Sequence, residues 1–483
     1  MKVGPLEGWK VGMGLAALAA CARSNIPTFQ PSTLWGPDNR VVISDFSDVQ
    51  AVAASPWFVF AATAHGLLIY DRVARRFRPP VTRIDGYPAA RVRRTIADPS
   101  GNTVWLDLGT ALGYVRYEMD GRTWLPGSLP SETGGTLTVE TALASAPLGD
   151  ALRAAILTDP RLRASQFTAA AATPDRPEVF FGTSGLGLVR VDKHTGEWEV
   201  LTYGLLAPGV GAVAPAPNGV WAASNARPGT SRRGVTWVAS DLSATRSSEG
   251  GRAALGFSFL SSRRLLVAGD QLWLATEQGV LRIDSSTFAS RLWDLPDATA
   301  LAPARNGIWV GTTRGLSLIT GDERVQDFGP SGIAITSLLA AGDTLWVGTT
   351  AGLGQVLPGA NTITTPSELA DRPSLRVTVY AIGRLQDTIV MATERELLWR
   401  NPTTQVWTAV PLPLALGTPT ALAADQHGAL WIGGTHGLAQ ADISSGFVHL
   451  HSVPLEVPAA VRDLASDRDF LWVATDSGLM RIQ

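Results

Sequence analysis

Cysteine is almost absent from this chain of 483 residues, in which Cys21 is the single cysteine. No disulfide can therefore form within one chain, and no thiol nucleophile is available beyond the N-terminal region. An excess of one charge is also lacking, since 40 Lys and Arg against 42 Asp and Glu give a formal net charge of −2. General nucleic-acid binding requires a strong basic excess, so the composition argues against nucleic-acid partners.

Catalytic signatures are missing as well. The sequence contains no Gly-x-Ser-x-Gly, His-Glu-x-x-His or EF-hand pattern. Residues 182–187 (GTSGLG) superficially suggest a phosphate loop, but they lie in a predicted β-hairpin with no following helix to supply an anion-binding N-terminus. We therefore expect a protein that is not an enzyme and has no catalytic residue and no cofactor.

Histidine is scarce, with six in the chain. His65 and His436 precede the turn glycines of two hairpins, at a position that another hairpin fills with Gln278, so we interpret it as a solvent-facing turn. His449 and His451 alternate on a predicted strand and face one side, where both could reach one metal ion. No third ligand is evident, so we expect two exposed strand histidines and no metal site.

The chain is rich in one repeated phrase. Leu272–Val280 (LWLATEQGV) returns at Ile308–Leu316 (IWVGTTRGL), and again near Trp346, Trp431 and Trp472. Each copy has an apolar run with an aromatic residue, then Gly or Ala, Thr, a two-residue turn, Gly and a second apolar run. These signals predict two strands joined by a tight hairpin, and a further short apolar run lies on each side. Four short antiparallel strands per repeat are typical of one β-propeller blade.

Weaker copies raise the number of repeats to ten. The anchor positions are 60, 105, 180, 221, 273, 309, 346, 390, 431 and 472. Ten blades form either one unusually wide ring or two smaller rings. The last repeat stops at Gln483 inside its third strand, and residues 41–46 resemble the fourth strands of other repeats. We therefore predict an all-β propeller of about ten four-stranded antiparallel blades in one closed ring, with the N-terminal strand completing the last blade.

The recurring side chains of the repeat predict packing roles. We expect each Trp to belong to the core between blades rather than to a carbohydrate-binding platform. We expect the Gly or Ala to fit where strands crowd together near the ring axis. The Thr beside it should then hydrogen-bond sideways.

In their Trp-(Val/Ile/Leu)-(Gly/Ala)-Thr-x-x-Gly-(Leu/Val) core, the repeats resemble those of the two-component regulator propellers of bacterial envelope sensors, over residues 41–483. The resemblance implies a propeller with a binding role and no active site. Propellers of that family are often periplasmic sensors of membrane-bound kinases. We find no kinase, DNA-binding module or apolar run of 20 residues in this sequence, so we expect the binding role alone to carry over.

The N-terminus predicts export and a lipid anchor. Lys2 and Lys10 precede an apolar run, residues 11–20, that is too short to cross a bilayer but fits a secretory signal. The run ends in Leu-Ala-Ala-Cys21, which resembles a bacterial lipobox. We therefore expect a signal peptide at 1–20, a lipidated tether at 21–40 and a periplasmic propeller at 41–483, anchored to the inner or outer membrane. A cleaved signal with an incidental cysteine is the alternative.

Two departures from the repeat are candidate partner surfaces. Residues 128–165 form an insertion between the second and third repeats, where Leu148, Leu152 and Ile156 would share one face of a helix. An arginine-rich stretch follows the first repeat and would attract lipid headgroups or an acidic partner, unless it is a solvated rim with partial pairing. Its candidate residues are Arg75, Arg76, Arg78, Arg93 and Arg94.

The favoured function is that of a non-enzymatic envelope lipoprotein whose propeller is a protein-interaction scaffold or an accessory subunit of a membrane-associated complex. The first alternative is a sensor lipoprotein that binds a small ligand or glycan in a central channel with polar and aromatic residues at its mouth. A propeller hydrolase or lyase is least favoured, because no converging pair of carboxylates is marked in the repeats.

Replacing Cys21 by Ser should abolish lipid attachment, because the thiol is the acylated group. Metabolic labelling with a radioactive fatty acid, followed by envelope fractionation, checks this prediction. The native chain should carry label and sediment with membranes, whereas C21S should be unlabelled and released. Label that persists in C21S, or a native chain that takes up none, contradicts the prediction.

Overall fold

Each sequence repeat folds into one antiparallel β-sheet. The structure, a computed structural model, describes residues 39–109, 111–128, 137–145, 163–225, 232–249, 261–329, 332–370, 376–401 and 403–483. Within these ranges ten sheets are present, and we number them blades 1 to 10 in chain order. The predicted all-β propeller class and the count of ten repeats are thereby confirmed.

The strands of a blade run antiparallel from its inner to its outer edge, and their bounds follow for each blade in turn. Blade 1 consists of Val49–Ala54, Phe58–Thr63, Gly66–Asp71, Arg76–Phe77 and Val81–Thr82. Blade 2 consists of Arg94–Ala97, Thr103–Asp107, Tyr114–Glu118 and Thr123–Gly127. Blade 3 consists of Phe167–Ala172, Glu178–Thr183, Leu188–Asp192 and Trp198–Leu201. Blade 4 consists of Val210–Ala216, Gly219–Ser224, Gly234–Ala239 and Thr245–Glu249. Blade 5 consists of Ser262–Ala268, Gln271–Thr276, Val280–Asp284 and Ser290–Trp293. Blade 6 consists of Ala298–Ala304, Gly307–Thr312, Gly315–Thr320 and Val325–Phe328. Blade 7 consists of Ile335–Ala341, Thr344–Thr349 and Gly352–Val356. Blade 8 consists of Ala381–Leu385, Thr388–Ala392, Glu396–Arg400 and Trp407–Pro411. Blade 9 consists of Pro419–Ala424, Leu430–Gly434, Gly437–Asp442 and Phe447–Ser452. Blade 10 consists of Val461–Ser466, Leu471–Thr475, Gly478–Ile482 and Arg40–Ile43. Short helical segments lie at Arg83–Asp85, Val139–Ser145, Ser367–Ala370 and Leu414–Leu416.

The recurring threonine closes the hairpin between the second and third strands. In blade 5, Thr276 Oγ1 donates to the Gly279 carbonyl at 2.8 Å and accepts the Gly279 amide at 3.2 Å. Gly279 has a φ of +144°, and a Cβ there would lie 2.2 Å from the Trp293 carbonyl oxygen, so this position requires glycine. The expected sideways hydrogen bond of this threonine is therefore wrong, because its own turn satisfies it. The same hydroxyl-to-carbonyl bond is made by Thr63, Thr183, Thr312, Thr349, Thr393 and Thr475.

Sideways links between blades come instead from bulges in the inner strands. Eight inner strands shift register at their second residue. In several of them this residue is a threonine that reaches the next blade. Thr299 Oγ1 of blade 6 donates to the Ile335 carbonyl of blade 7 at 2.6 Å. Thr420 Oγ1 of blade 9 donates in the same way to the Val461 carbonyl of blade 10 at 3.0 Å.

Small residues and aromatic anchors fit successive blades together. A Cβ on Gly311 would lie 2.6 Å from Ile335 Cγ2, and one on Gly433 would lie 2.6 Å from Val461 Cγ1. The crowding expected of the Gly or Ala is therefore real, but it occurs between neighbouring blades. Most of the anchor tryptophans belong to the core as predicted, since Trp105 and Trp309 are partly buried and the other five are buried: Trp221, Trp273, Trp346, Trp431 and Trp472.

Blades 4 to 10 form a closed ring of seven blades, which we call the ring. The inner strand of each blade packs against that of the next, and the inner strand of blade 10 packs against that of blade 4. At this closing contact the Val213 amide donates to Asp463 Oδ2 at 3.1 Å. Trp472 of blade 10 is fully buried in a cluster that includes Val213 and Val220 of blade 4.

Blades 1 to 3, which we call the arc, pack beside one another in the order 3, 1, 2. Thr168 Oγ1 of blade 3 donates to the Val49 carbonyl of blade 1 at 2.6 Å, the same link that joins blades of the ring. Gln50 Oε1 of blade 1 accepts the Val92 amide before blade 2 at 2.9 Å. The predicted closed ring is therefore present, but its extent is corrected. Seven blades close it, because blade 10 packs directly on blade 4, and three blades remain in the arc.

The N-terminal strand completes the last blade, as predicted. Arg40–Ile43 pairs antiparallel with Gly478–Ile482, so that Val42 lies opposite Met480. The outer edge of blade 10 is thereby covered by residues from the other end of the chain.

Residues 44–48 connect this closing strand to the arc. The Ser44 carbonyl accepts the Leu205 amide at 2.9 Å, and the Ser47 carbonyl accepts the Gly187 amide at 2.9 Å. Gly204 has a φ of +105°, and a Cβ there would lie 2.5 Å from the Ser44 oxygen, so glycine permits the close approach. Backbone hydrogen bonds therefore hold the ring and the arc together along this segment. None of the helices in the described ranges is both long and apolar enough to cross a membrane.

Replacing Gly311 by Ala should destabilise the ring, because the new Cβ would overlap Ile335 of the next blade. We expect a loss of about 1–3 kcal/mol, the usual cost of overpacking. Urea unfolding followed by circular dichroism measures it. Gly321→Ala is the matched control, since its nearest atom would be 3.7 Å away. Equal unfolding midpoints for the two variants would contradict the packing argument.

Candidate ligand pocket between the arc and the ring

A cavity of about 300 Å³ lies where the arc meets the outer strand of blade 10. We call it the junction pocket. Its lining comes from the closing strand, from the outer part of blade 1 and from blade 2. The lining residues are Arg40, Val41, Ile69, Arg78, Pro79, Pro80, Val81, Ile84, Asp85, Tyr117, Met119 and Arg122.

The lining combines cationic side chains with an apolar wall. Three arginines and one aspartate give it a formal charge of +2, since 3 − 1 = 2. Aliphatic side chains, prolines and Met119 supply most of the remaining surface. Ligand pockets typically have apolar walls with a few polar groups that fix orientation, and volumes from about 300 to 1,000 Å³. The junction pocket is at the lower end of that range.

Arg40 is held in place by backbone carbonyls. Its Nη1 donates to the Glu456 carbonyl at 3.0 Å and to the Leu455 carbonyl at 3.3 Å, while Nη2 lies 3.4 Å from the Ile84 carbonyl. These acceptors orient the guanidinium without neutralising it, because carbonyl oxygens carry no net charge. The positive charge of Arg40 therefore remains effective in the pocket.

Asp85 is fixed by the turn that contains it. Its Oδ2 accepts the Thr82 amide at 2.8 Å and the Thr82 hydroxyl at 3.0 Å. Burial raises the pKa of the Asp85 carboxyl, although these hydrogen bonds and the charges of Arg40 and Arg122 act in the opposite direction.

Arg78 and Tyr117 complete the polar part of the pocket. Arg78 pairs with Asp71 at 3.3 Å, and its guanidinium lies 4.4 Å from the centroid of the Phe58 ring. Burial raises the pKa of Tyr117 to about 12, so its hydroxyl stays protonated at neutral pH. The Tyr117 ring packs against Trp124 with centroids 4.9 Å apart.

The chemistry of this lining suits binding. It holds anion-binding guanidinium groups and a hydrogen-bonding phenol, and its single carboxylate is already engaged by Thr82. Its residue types include no Ser, Cys or His that could act as a nucleophile or general base. A small ligand with an anionic group and an apolar body would match both parts of the surface.

The channel of the ring is a second cavity, but a much smaller one. It measures about 70 Å³ and is lined by inner-strand residues of blades 5 to 10. The polar and aromatic lining expected for a channel ligand is present, with Thr299, Thr336 and Tyr380 among its members. Arg264 and the fully buried Asp463 form an ion pair at the wall of the channel. The difference in volume favours the junction pocket over the channel as the ligand site.

The sequence-selected arginines do not share one surface. Arg76 lies in the outer strand of blade 1, and Arg75 lies in the turn before it. Arg94 begins the inner strand of blade 2, with Arg93 just before it. Arg75 and Arg76 therefore lie at the outer edge of one blade, and Arg93 and Arg94 lie at the inner edge of another. Of the five candidates, Arg78 is the one that lines the junction pocket.

A neighbouring arginine from the same stretch is structural. Arg72 is fully buried and pairs with Glu178 of blade 3 at 3.0 Å. Its Nη1 also donates to the Ser55 carbonyl at 2.7 Å and to Thr173 Oγ1 at 2.8 Å. It therefore joins blade 1 to blade 3 inside the arc.

The predicted helical face of the insertion, Leu148, Leu152 and Ile156, lies outside the described residues. Within the insertion the structure describes a helix at Val139–Ser145, whose buried residues include Leu143. This helix shares a core cluster with blade 3, so it belongs to the arc.

The histidines depart from expectation at two places. His65 Nδ1 lies 2.8 Å from the Asp45 carbonyl, so this turn residue helps to hold the connecting segment 44–48. His449 and His451 do lie on one face of the strand Phe447–Ser452. His451 is, however, 3% exposed and hydrogen-bonds Glu456 at 3.1 Å, so the prediction of two exposed histidines without a third candidate ligand is wrong.

Sequence reasoning missed Arg40, Asp85, Tyr117 and Arg122. Arg40, Asp85 and Arg122 lie at a strand end or in turns and connections, where the repeat gives no periodic signal. Tyr117 lies within the third strand of blade 2, whose copy of the repeat is weak. Their proximity depends on how the arc packs against the closing strand. The one available signal was the acidic Asp85 within the arginine-rich stretch.

No family model and no curated protein match the chain. Among solved structures, the extracellular domain of the one-component system BT4673 from B. thetaiotaomicron is 12% identical, with a TM-score of 0.46 over 90% of this chain and 70% of that chain. Virginiamycin B lyase from Staphylococcus aureus is 15% identical, with a TM-score of 0.46 over 57% of this chain and 95% of that chain. Neither likeness bears on function, and the resemblance to two-component regulator propellers stays a prediction.

Replacing Arg72 by Ala should destabilise the arc, because Glu178 would lose its buried partner. Glu178 keeps its second partner, Arg190, at 3.1 Å, so the expected loss is about 1–3 kcal/mol, the usual cost of leaving buried acceptors such as the Ser55 carbonyl unpaired. Arg76→Ala is the matched control in the same stretch, since Arg76 is exposed, and it should change stability little. Urea midpoints of the two variants provide the comparison. A loss for Arg76→Ala as large as that for Arg72→Ala would show that the stretch does not divide in this way.

Proposed function

We propose that this protein is a non-enzymatic binding protein of the cell envelope, whose junction pocket takes a small ligand with an anionic group and an apolar body. The observation that carries the proposal is the pocket of about 300 Å³ in which three arginines face an aliphatic wall. This is the ligand-binding alternative raised by the sequence, with the site moved from the channel to the junction.

The charge distribution supports an anionic ligand. Arg40 donates to neutral carbonyls, so its positive charge is not cancelled by an acidic partner there. Arg122 also lines the pocket and acts electrostatically on Asp85 and Tyr117. A carboxylate or phosphate would gain charge-assisted hydrogen bonds from these groups.

The position of the pocket supports a sensing role. Arg40 and Val41 belong to blade 10, whereas Ile69, Arg78 and Asp85 belong to the arc. A ligand there would contact both parts at once and stabilise their packed arrangement. Because a ligand that binds the native state raises stability by mass action, binding would register as a higher melting temperature.

The lipid anchor at Cys21 and a membrane-associated protein partner belong to the same proposal. An anchored propeller would present its pocket to the periplasm. One described feature favours a partner-binding role beside ligand binding: an open groove between blades 1 and 3 whose lining includes Arg75, Arg176 and the exposed Trp198. Co-purification of the tagged full chain from a gently solubilised envelope addresses that role.

Replacing Arg122 by Ala should weaken anion binding at least tenfold, because a hydrogen bond to a charged group contributes about 1.5–3 kcal/mol. The test uses the anionic dye 1-anilinonaphthalene-8-sulfonate on the full chain, displaced by octanoate, with octylamine as the control of opposite charge. Octanoate should displace the dye and octylamine should not.

Arg324→Ala is the matched control, since Arg324 is 81% exposed on blade 6, away from the pocket. It should bind the dye and octanoate as the native chain does. Displacement by octylamine equal to that by octanoate, or unchanged octanoate affinity in Arg122→Ala, would rule out an anion site at the junction.

A further inference from the structure

Three potential metal ligands converge at the outer edge of blade 9. His449 and His451 come from the outer strand, and Glu456 comes from the connection that leads to blade 10. One ligand atom from each residue lies within 4.8 Å of the other two. His451 Nδ1 and Glu456 Oε1 are 3.1 Å apart, and the two imidazole centroids are 4.6 Å apart.

The local sequence explains why these side chains meet. Residues two apart on a strand face the same side, which brings the two histidines together. The connection then turns back, and the Ser452 amide donates to Glu456 Oε2 at 3.1 Å. This hydrogen bond leaves Oε1 directed at His451 and holds the carboxylate in place.

His451 is fixed more firmly than a surface histidine. It is 3% exposed, and its ring stacks on Trp431 with centroids 5.7 Å apart and planes 26° apart. Well-formed metal sites restrict their ligands through such surrounding contacts. His449 is half-buried, so one side of the cluster remains accessible to solvent.

The distances suit a metal ion of about the size of zinc. Tetrahedral zinc binds His nitrogen and carboxylate oxygen at about 2.0–2.2 Å, which places neighbouring ligand atoms about 3.3–3.5 Å apart. The 3.1 Å between His451 and Glu456 is close to that spacing. The ion would replace the hydrogen bond by binding both atoms, and a small shift of His449 would bring in the third.

The charges are also suitable. The two histidines offer imidazole nitrogens and Glu456 offers a carboxylate oxygen, which are ligand atoms that zinc accepts. The cationic side chain that acts electrostatically on His451 is Arg40. Arg40 donates to the backbone carbonyls of Leu455 and Glu456, which leaves the Glu456 carboxylate for the cluster.

We infer that His449, His451 and Glu456 form a binding site for a divalent transition-metal ion of the zinc class, with a solvent molecule as the fourth ligand. Two imidazoles and one carboxylate with an open position are a ligand set that such ions accept. Metal binding at this site does not require a ligand in the junction pocket, because none of the three residues lines that pocket. Bound metal would tie the outer strand of blade 9 to the connection into blade 10, and so brace the part of the ring that Arg40 contacts from the closing strand.

The test measures Zn²⁺ binding by isothermal titration calorimetry and Co²⁺ binding by visible absorption. All proteins are full-length chains that carry Cys21→Ser, so that no thiol competes for metal. One equivalent of Zn²⁺ should bind, and one equivalent of Co²⁺ should give the intense visible bands of a four-coordinate site. Zn²⁺ should also raise the melting temperature.

His449→Ala and Glu456→Gln are the test variants, because neither removes the buried ring of His451. Each should weaken Zn²⁺ binding at least tenfold and abolish the Co²⁺ bands. His436→Ala is the matched control, since His436 is an exposed turn residue of the same blade, and it should bind like the parent. Absence of stoichiometric binding in the parent, or unchanged affinity in His449→Ala, would overturn the inference.

Discussion

The fit between one blade and the next is the constraint on which the rest of this structure depends. Ile335 and Val461, each at the start of an inner strand, need space on the preceding blade, and Gly311 and Gly433 provide it. Where blade 10 meets blade 4, packing between neighbouring blades buries Trp472 completely. Once these two blades pack together the ring is complete, and the three remaining blades must pack elsewhere.

The junction between ring and arc follows from that closure. The chain leaves the closing strand through residues 44–48 and enters blade 1, so the outer face of blade 10 and the outer part of the arc are brought side by side. Side chains that would otherwise be solvated then line a common cavity. Arg40 contributes to the cavity and also contacts the connection that carries Glu456, so the junction pocket and the histidine cluster share one structural neighbour.

Much of the fold was accessible from sequence because the repeat is a local signal. Thr276 and Gly279 specify their hairpin through contacts within a few residues, and the apolar residues of Arg40–Ile43 indicate a strand locally. The extent of the ring was not accessible, because Thr168 in the arc and Thr299 in the ring make the same link to a neighbouring carbonyl. Local sequence therefore does not distinguish a blade of the arc from one of the ring. The candidate sites depend on turns and connections such as those of Asp85 and Glu456, where periodicity ends.

The pairing of Val42 with Met480 has a consequence for how the protein reaches its native state. The two strands lie near opposite ends of the polypeptide, so the entropy of closing an almost chain-length loop must be overcome before this contact forms. Nine blades can assemble while synthesis or export proceeds, but the closing strand, which emerges first, must wait for the three other strands of blade 10. During that interval the closing strand has no partner, and its backbone groups remain unpaired. Truncation at the extreme C-terminus would therefore prolong exposure of a strand near the N-terminus, an effect that distance along the sequence would not suggest.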